Sequence, residues 1–211
     1  MSLCLCVMGT ALQAETIDRI AVSVGNQVIT ASDLDRQIRM AAFLSGTAPD
    51  FSTAARRAMA DRLVAQRLML KEIETTHYVA PDPAAIGPAL AEFKKKYFSS
   101  DEAYRRALEQ AGFTEAEVRE ELLRERLVNA FIEVRFHPAV QVTEQDIQDY
   151  FEKTVAPAAR AAAPGQPVAL EQYHDRIERS LTGERVDAEV ERWLAEARRR
   201  NEIIYHPEAF E

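Results

Sequence analysis

The amino-acid sequence predicts a mostly α-helical protein with one small β-sheet. Apolar residues recur at helical spacing along most of the chain, whereas two short segments, one near the start and one at the end, have the pattern of strands. Of the 211 residues, 47% are hydrophobic and 28% are charged, a balance typical of a folded globular protein rather than a disordered one. We therefore expect a helical core completed by a sheet that contains both strand segments.

The first fourteen residues have features of a secretory signal. Residues 3–14, LCLCVMGTALQA, are apolar and uncharged, and they are shorter than the roughly 20 residues that a membrane span needs. We expect cleavage after Ala14, because charge begins at Glu15. No Lys or Arg precedes the run, so a start further upstream and a buried strand or helix stay open as alternatives. Cleavage would remove Cys4 and Cys6, and with them disulfide and zinc-thiolate chemistry.

A β-hairpin is predicted over residues 17–30, IDRIAVSVGNQVIT. Ile20, Val22 and Val24 alternate toward one side of the first strand. The pair Gly25-Asn26 separates two apolar runs and is typical of a two-residue hairpin turn. The second strand leads directly into the first helix.

Helical spacing begins after the hairpin. The first helix should be capped by Ser32-Asp33, last about three turns and end at Gly46. The second has a wide apolar face, which indicates burial on more than one side, and should end before Pro81. The third should begin at Pro88, because a proline breaks a helix that is already established. Later helices should be capped by Ser100, by Thr114 with Glu117, and by Thr143.

Residues 154–169, TVAPAARAAAPGQPVA, are predicted to form a linker without packed helix or sheet, because they contain three prolines and a glycine. Helical spacing returns from Leu170. Residues 201–206, NEIIYH, are typical of a short strand that stops at Pro207. Because a hairpin alone leaves both edges unpaired, we expect this strand to pair with it, so that the linker bulges from a single body.

The order of these elements resembles the SurA-like periplasmic chaperones. The segments that carry the resemblance are DRIAVSVGNQVIT, RLVAQRLMLKEI, TEAEVREELLRERLVNAFIEVRF, VTEQDIQDYFEK and VERWLAEARRRNEIIY. The resemblance divides the chain into a signal peptide (1–14), an N-terminal helical module (15–153), the linker (154–169) and a C-terminal helix and strand (170–211) that complete the same core. A parvulin-type prolyl isomerase domain, common in the family, needs on the order of a hundred residues, so the linker leaves no room for one.

The resemblance implies a periplasmic, ATP-independent holdase. Such a protein binds unfolded polypeptides, above all outer-membrane protein precursors, and is not an enzyme. Two alternatives stay open: a member of the peptidyl-prolyl isomerase family, and a dedicated scaffold or partner subunit, for instance a homodimer that exchanges terminal elements. We expect no cofactor and no stable membrane anchor, and the sequence leaves the oligomeric state open.

Charge and motifs argue against other function classes. The net charge of -8 disfavours nucleic-acid binding, which normally needs a basic face. No GxSxG or GxxxxGK[ST] motif occurs, so neither a serine nucleophile nor a phosphate loop is indicated. We expect no metal site, because the histidines have no metal-ligand spacing; they are His77, His137, His174 and His206.

Methionine and aromatic side chains are the candidates for binding clients, because both adapt to different apolar partners. Several of them bracket the first turn between helices or line the second helix. The same side chains would serve equally in the core, which we favour at each single position. The candidates are Met40, Phe43, Phe51, Met59, Met69, Tyr97 and Phe98.

Overall fold

A computed structural model describes residues 18–76 and 78–211 of the chain. The predicted signal segment, with Cys4 and Cys6, lies outside the described residues, and so does His77. The described part is mostly helical and has one small antiparallel sheet, which confirms the predicted fold class. None of its helices combines the length and hydropathy that a bilayer span requires.

The sheet joins the two strand segments, as predicted. Strands β1 (Ile20–Val24) and β2 (Gln27–Thr30) form the hairpin, and β3 (Ile203–Tyr205) pairs antiparallel with β1. The strand order is β2-β1-β3. Gly25 in the hairpin turn has a φ of 57°, a conformation that glycine adopts without strain.

The predicted alternation along β1 is wrong at Ile20. This side chain is 43% exposed, whereas Ala21 and Val22 are both fully buried. The pairing of β1 with β2 shifts register between Ile20 and Val22. Such an irregularity turns two consecutive side chains toward the core and leaves the residue before them outside.

Eight α-helices make up most of the described residues. Four precede residue 112 and four follow it, with short 3-10 turns between some of them. They are α1 (Ala31–Ser45), α2 (Thr53–Thr75), α3 (Ile86–Tyr97), α4 (Asp101–Ala111), α5 (Glu115–Arg135), α6 (Glu144–Tyr150), α7 (Ala156–Ala162) and α8 (His174–Arg200).

Thr30, rather than Ser32-Asp33, caps α1. The Thr30 hydroxyl accepts the Asp33 N–H at 3.2 Å, and the Asp33 carboxylate accepts the Thr30 N–H at 3.0 Å. The predicted cap is therefore wrong by two residues, because the last residue of β2, Thr30, already supplies the hydroxyl of a reciprocal capping box. The helix is 15 residues long, about four turns rather than three. It ends at Gly46, as predicted, where φ is 67°.

Helix α3 begins at Ile86, two residues before the predicted start at Pro88. A proline in the first turn of a helix removes an N–H that has no intrahelical partner, so Pro88 is tolerated there. The three later caps are confirmed. The hydroxyls of Ser100, Thr114 and Thr143 each accept a backbone N–H three residues on.

The prediction that residues 154–169 contain no packed helix is wrong for the first half of that segment. From α6 the chain continues through a π-helical turn, Phe151–Val155, into α7. Pro157 lies in the first turn of α7, and the alanines around it are the strongest helix formers. Ala156 is buried, so this helix packs against its neighbours. The division of the chain into modules stays a prediction.

Buried apolar side chains form three clusters. The sheet core unites β1 and β2 with α2, the end of α5 and the second half of α8. The aromatic core lies among α1, α3, α4 and the start of α5. The α6–α7 core is centred on Ile147, Phe151, Ala156 and Ile177. Helix α8 therefore contributes Ile177 to one cluster and Val186 to another, so it connects them.

Candidate functional site

Two of the seven predicted client-binding residues are buried in different cores. Met40 lies in the aromatic core and Met69 in the sheet core, with 4% and 6% of their surfaces exposed. Both side chains pack against other apolar residues of the folded chain. A polypeptide in solution could reach them only if the surrounding helices moved.

Three further candidates lie together at one edge of the aromatic core. The Phe43 and Phe98 rings have centroids 5.8 Å apart and are partly buried. Tyr97 is 36% exposed, and its ring fills the space in which a Cβ at Gly46 would lie, 2.8 Å or less from two ring atoms. Tyr97 is therefore the member of this group that a client could reach directly.

The last two candidates lie near the turn between α1 and α2. Phe51 is 37% exposed, and Met59 is partly buried against the sheet core. Met59 lines a shallow groove of about 360 Å³ between the two helices, with small side chains such as Ala42 and Ala58 around it. The structure thus separates the seven candidates into buried, edge and groove positions, and their role in binding clients stays a prediction.

A larger groove runs between α2 and α8, and no local sequence pattern predicts it, because its lining comes from distant segments of the chain. This α2–α8 groove has a volume of about 790 Å³ and is closed at one side by the end of α5. Its apolar lining includes Leu68, Phe136, Trp193 and Ala197. The rings of Phe136 and Trp193 meet edge-on with centroids 5.9 Å apart. Phe136 is buried, whereas Trp193 is partly exposed, so Trp193 is the aromatic side chain that an apolar group in the groove could contact directly.

Long charged side chains form the rim of the α2–α8 groove. Arg192 makes two contacts of 2.7 and 2.8 Å with Glu189, and Arg199 pairs with Glu196. The Arg135 guanidinium lies 5.5 Å from the centre of the Phe136 ring. Such side chains have apolar stems and mobile charged ends, so the rim can adapt to segments of different shape.

The edges of the sheet offer a second mode of contact. Strands β2 and β3 are the outer strands, so each has one edge that no other strand of the described sheet pairs with. Val28 on β2 and Ile204 on β3 flank Ser23 of β1, and their side chains are 44% and 47% exposed. An extended polypeptide can add to such an edge through main-chain hydrogen bonds.

One group of potential metal ligands occurs in the described residues. Ligand atoms of His174, Asp175 and Glu178 lie within 4.8 Å of one another. The imidazole is 3.1 Å from Glu144 and 3.3 Å from Asp175, and these hydrogen bonds hold the pKa of His174 above its ordinary value. Because a protonated imidazole cannot ligate a metal, the contacts favour an ion-paired histidine over a metal site.

Comparison with known proteins gives one family. The SurA-like N-terminal domain model matches residues 2–132. Chaperone SurA of Alkalilimnicola ehrlichii is 27% identical over 143 residues, which are 66% of this chain and 33% of that protein. Chaperone SurA of Pseudomonas fluorescens (strain Pf0-1) is 25% identical over 149 residues, 68% of this chain and 34% of that protein. The chain thus spans about a third of the length of these curated relatives.

Proposed function

The chain belongs to the family of SurA-like N-terminal domains, and on that premise we propose that it is a periplasmic, ATP-independent holdase. Its clients would be unfolded polypeptides, with outer-membrane protein precursors as the first class to test. The chaperone name is that of longer relatives. Support for the same activity in this chain comes from its own surface.

The observation that carries the proposal is the apolar lining of the α2–α8 groove. Trp193 is partly exposed in the groove, Phe136 is buried against it, and charged side chains form the rim. Apolar contacts of this kind need no particular client sequence, and main-chain pairing at β2 or β3 needs none either. Together they fit a protein that binds many extended segments weakly.

We propose further that binding, rather than catalysis, is the activity of this chain. The family match is to an N-terminal domain, and only residues 163–173 separate α7 from α8 in the structure. A parvulin domain would need on the order of a hundred residues at that position. Acceleration of cis–trans interconversion in a proline-containing peptide would contradict this part of the proposal.

The test of the holdase function is suppression of aggregation. An outer-membrane protein unfolded in urea is diluted into buffer with increasing amounts of the chain, and light scattering is followed. We expect suppression at a near-stoichiometric ratio. No suppression at any ratio would refute the proposal, and a stable dimer that binds only one fixed partner would favour a dedicated subunit.

A pair of matched variants assigns the activity to the α2–α8 groove. Ala139 is exposed and lines the groove, so Ala139→Glu places a charge beside the apolar lining without disturbing a core. Ala161 is exposed on α7 outside the groove, and Ala161→Glu is the control. We expect only Ala139→Glu to need several-fold more protein for the same suppression. Equal activity of both variants would exclude this groove as the client site.

A further inference from the structure

A second groove lies between the last turns of α5 and the first half of α8. This α5–α8 groove has a volume of about 570 Å³. Ile132 and Val186 give it an apolar floor, and Gly183 leaves space above them, since a Cβ built there would meet no atom within 4 Å. Glu178 and Thr182 precede Val186 at intervals of four residues, so these three side chains share one side of α8.

The α5–α8 groove is acidic. Its charged lining consists of Glu133, Glu178 and Asp187 against Arg179. No Lys or Arg of the described chain lies within ion-pairing distance of any of the three carboxylates. The last turn of α5 also lines the groove, and the C-terminal end of a helix carries a partial negative charge. The net charge of -8 adds to this potential.

The shape of the groove sets the size of what it can hold. Its α8 side runs from Glu178 to Asp187, ten residues of helix that span about 13 Å at the ordinary rise. An extended chain covers that distance with about four residues. An aliphatic side chain would contact Ile132 and Val186, and cationic side chains on either side of it would reach the carboxylates.

We propose that the α5–α8 groove docks an extended segment of about four residues in which Lys or Arg flanks an aliphatic side chain. The inference rests on the proposed function, because such a segment would belong to a bound client. Charge complementarity supports it: the floor is apolar, and the three carboxylates around it, none of which pairs with a Lys or Arg of the described chain, have the opposite sign to the segment. The groove would select among client segments, whereas the α2–α8 groove would accept apolar segments in general.

The experiment compares two double variants of α8 that change the net charge equally. Glu178→Gln with Asp187→Asn removes two carboxylates from the groove. Glu184→Gln with Glu191→Gln removes two exposed carboxylates of the same helix outside it. Fluorescence anisotropy measures binding of a labelled peptide with two Lys around a Leu-Val pair, and of versions with Gln or Glu in place of Lys. Circular dichroism checks that both variants fold.

We expect the wild-type chain to bind the Lys peptide most tightly and the Glu peptide least tightly. The groove variant should weaken binding of the Lys peptide by roughly fivefold or more, and the control by less than about twofold. Equal weakening by both variants, or no preference for Lys in the wild type, would overturn the inference. Aggregation suppression by the wild type is measured separately and tests only the holdase function. A failure of the groove inference can therefore be distinguished from a failure of the proposed function.

Discussion

Tyr104 is the most completely buried aromatic residue of the aromatic core. Its ring lies 5.2 Å from Phe98 between centroids, and the Lys94 ammonium lies 4.4 Å from the ring centre. The Tyr104 hydroxyl has no hydrogen-bond partner among the described residues. Burial raises the pKa of Tyr104 to about 12. A buried hydroxyl without a partner loses its hydration and gains nothing in return.

Removing that hydroxyl should therefore stabilise the protein. We expect Tyr104→Phe to raise the free energy of unfolding by about 1 kcal/mol, since the ring and its packing remain. Urea unfolding followed by circular dichroism measures the change. Tyr205→Phe is the control, because the Tyr205 hydroxyl donates to Asp61 at 2.6 Å and its loss should lower the free energy by about 1 kcal/mol. A Tyr104→Phe variant less stable than the wild type would show that the hydroxyl has a partner.

The N-terminus of α5 is held by a capping box and by an ion pair to another helix. The Glu117 carboxylate accepts the Thr114 N–H at 2.7 Å and pairs with Arg36 of α1. The pKa of Glu117 is lowered from an ordinary 4.5 to about 2. The main cause is the hydrogen bond from the Thr114 backbone, and the hydrogen bond from Arg36 is a further cause. Because the pKa of Glu117 is lower in the folded state than in the unfolded state, its ionised carboxylate stabilises the fold above pH 4.5. This contribution to the free energy of unfolding disappears as the pH falls toward 2.

Glu117→Gln should make α5 less sensitive to acid. The amide oxygen can still accept the Thr114 N–H, but the side chain no longer titrates. We expect the drop in unfolding free energy between pH 5 and pH 3 to be smaller in the variant than in the wild type. Urea titrations at the two pH values measure it. The same drop in both proteins would mean that this carboxylate is not linked to folding.

The ends of elements were partly predictable from the sequence. Thr114-x-x-Glu117 and Thr143-x-x-Asp146 have the capping-box spacing, and the structure has both boxes. At α1, however, Thr30 and Ser32 are both good caps, and only the length of β2 decides between them. In residues 154–169 a count of prolines was misleading, because the position of Pro157 in a first turn matters more than its presence.

The candidate site was less predictable than the elements. The helical spacing that returns from Leu170 predicts a helix that contains Trp193. Its neighbours in the α2–α8 groove, Leu68 and Phe136, come from α2 and the residue after α5, and no local pattern connects them. Among the seven candidates, the sequence could not separate Met40 in a core from Phe51 at the surface, because methionine and phenylalanine suit both environments.

At the scale of the whole molecule, α8 connects two cores. Ile177 packs with Ile147 and Phe151, whereas Leu194 belongs to the sheet core on the second half of the same helix. That β3 joins the hairpin was predictable from the shortage of strands, but its pairing with β1 rather than β2 was not predicted. The separation into three cores was not predictable, because apolar spacing along a helix does not tell which neighbour each turn contacts.

Shortening a buried side chain in the first half of α8 should have a different effect from shortening one in the second half. We expect Ile177→Ala to increase amide hydrogen exchange mainly in residues 144–162, where its partners lie. Leu194→Ala should lower stability throughout, by about 2–5 kcal/mol, because the sheet core unites both ends of the described chain. Hydrogen-exchange mass spectrometry distinguishes the two. Equal loss of protection everywhere in Ile177→Ala would show that the cores unfold as one unit.

The position of β1 between β2 and β3 determines when the sheet can form. β1 meets β2 across a two-residue turn, but Ser23 and Ile204 are about 180 residues apart, and closing a loop of that length costs about 5 kcal/mol of chain entropy. The hairpin can therefore fold early, whereas the edge of β1 that pairs with β3 stays unpaired until β3 has been synthesised. During that interval the nascent protein itself exposes an unpaired strand edge, the kind of surface that invites aggregation.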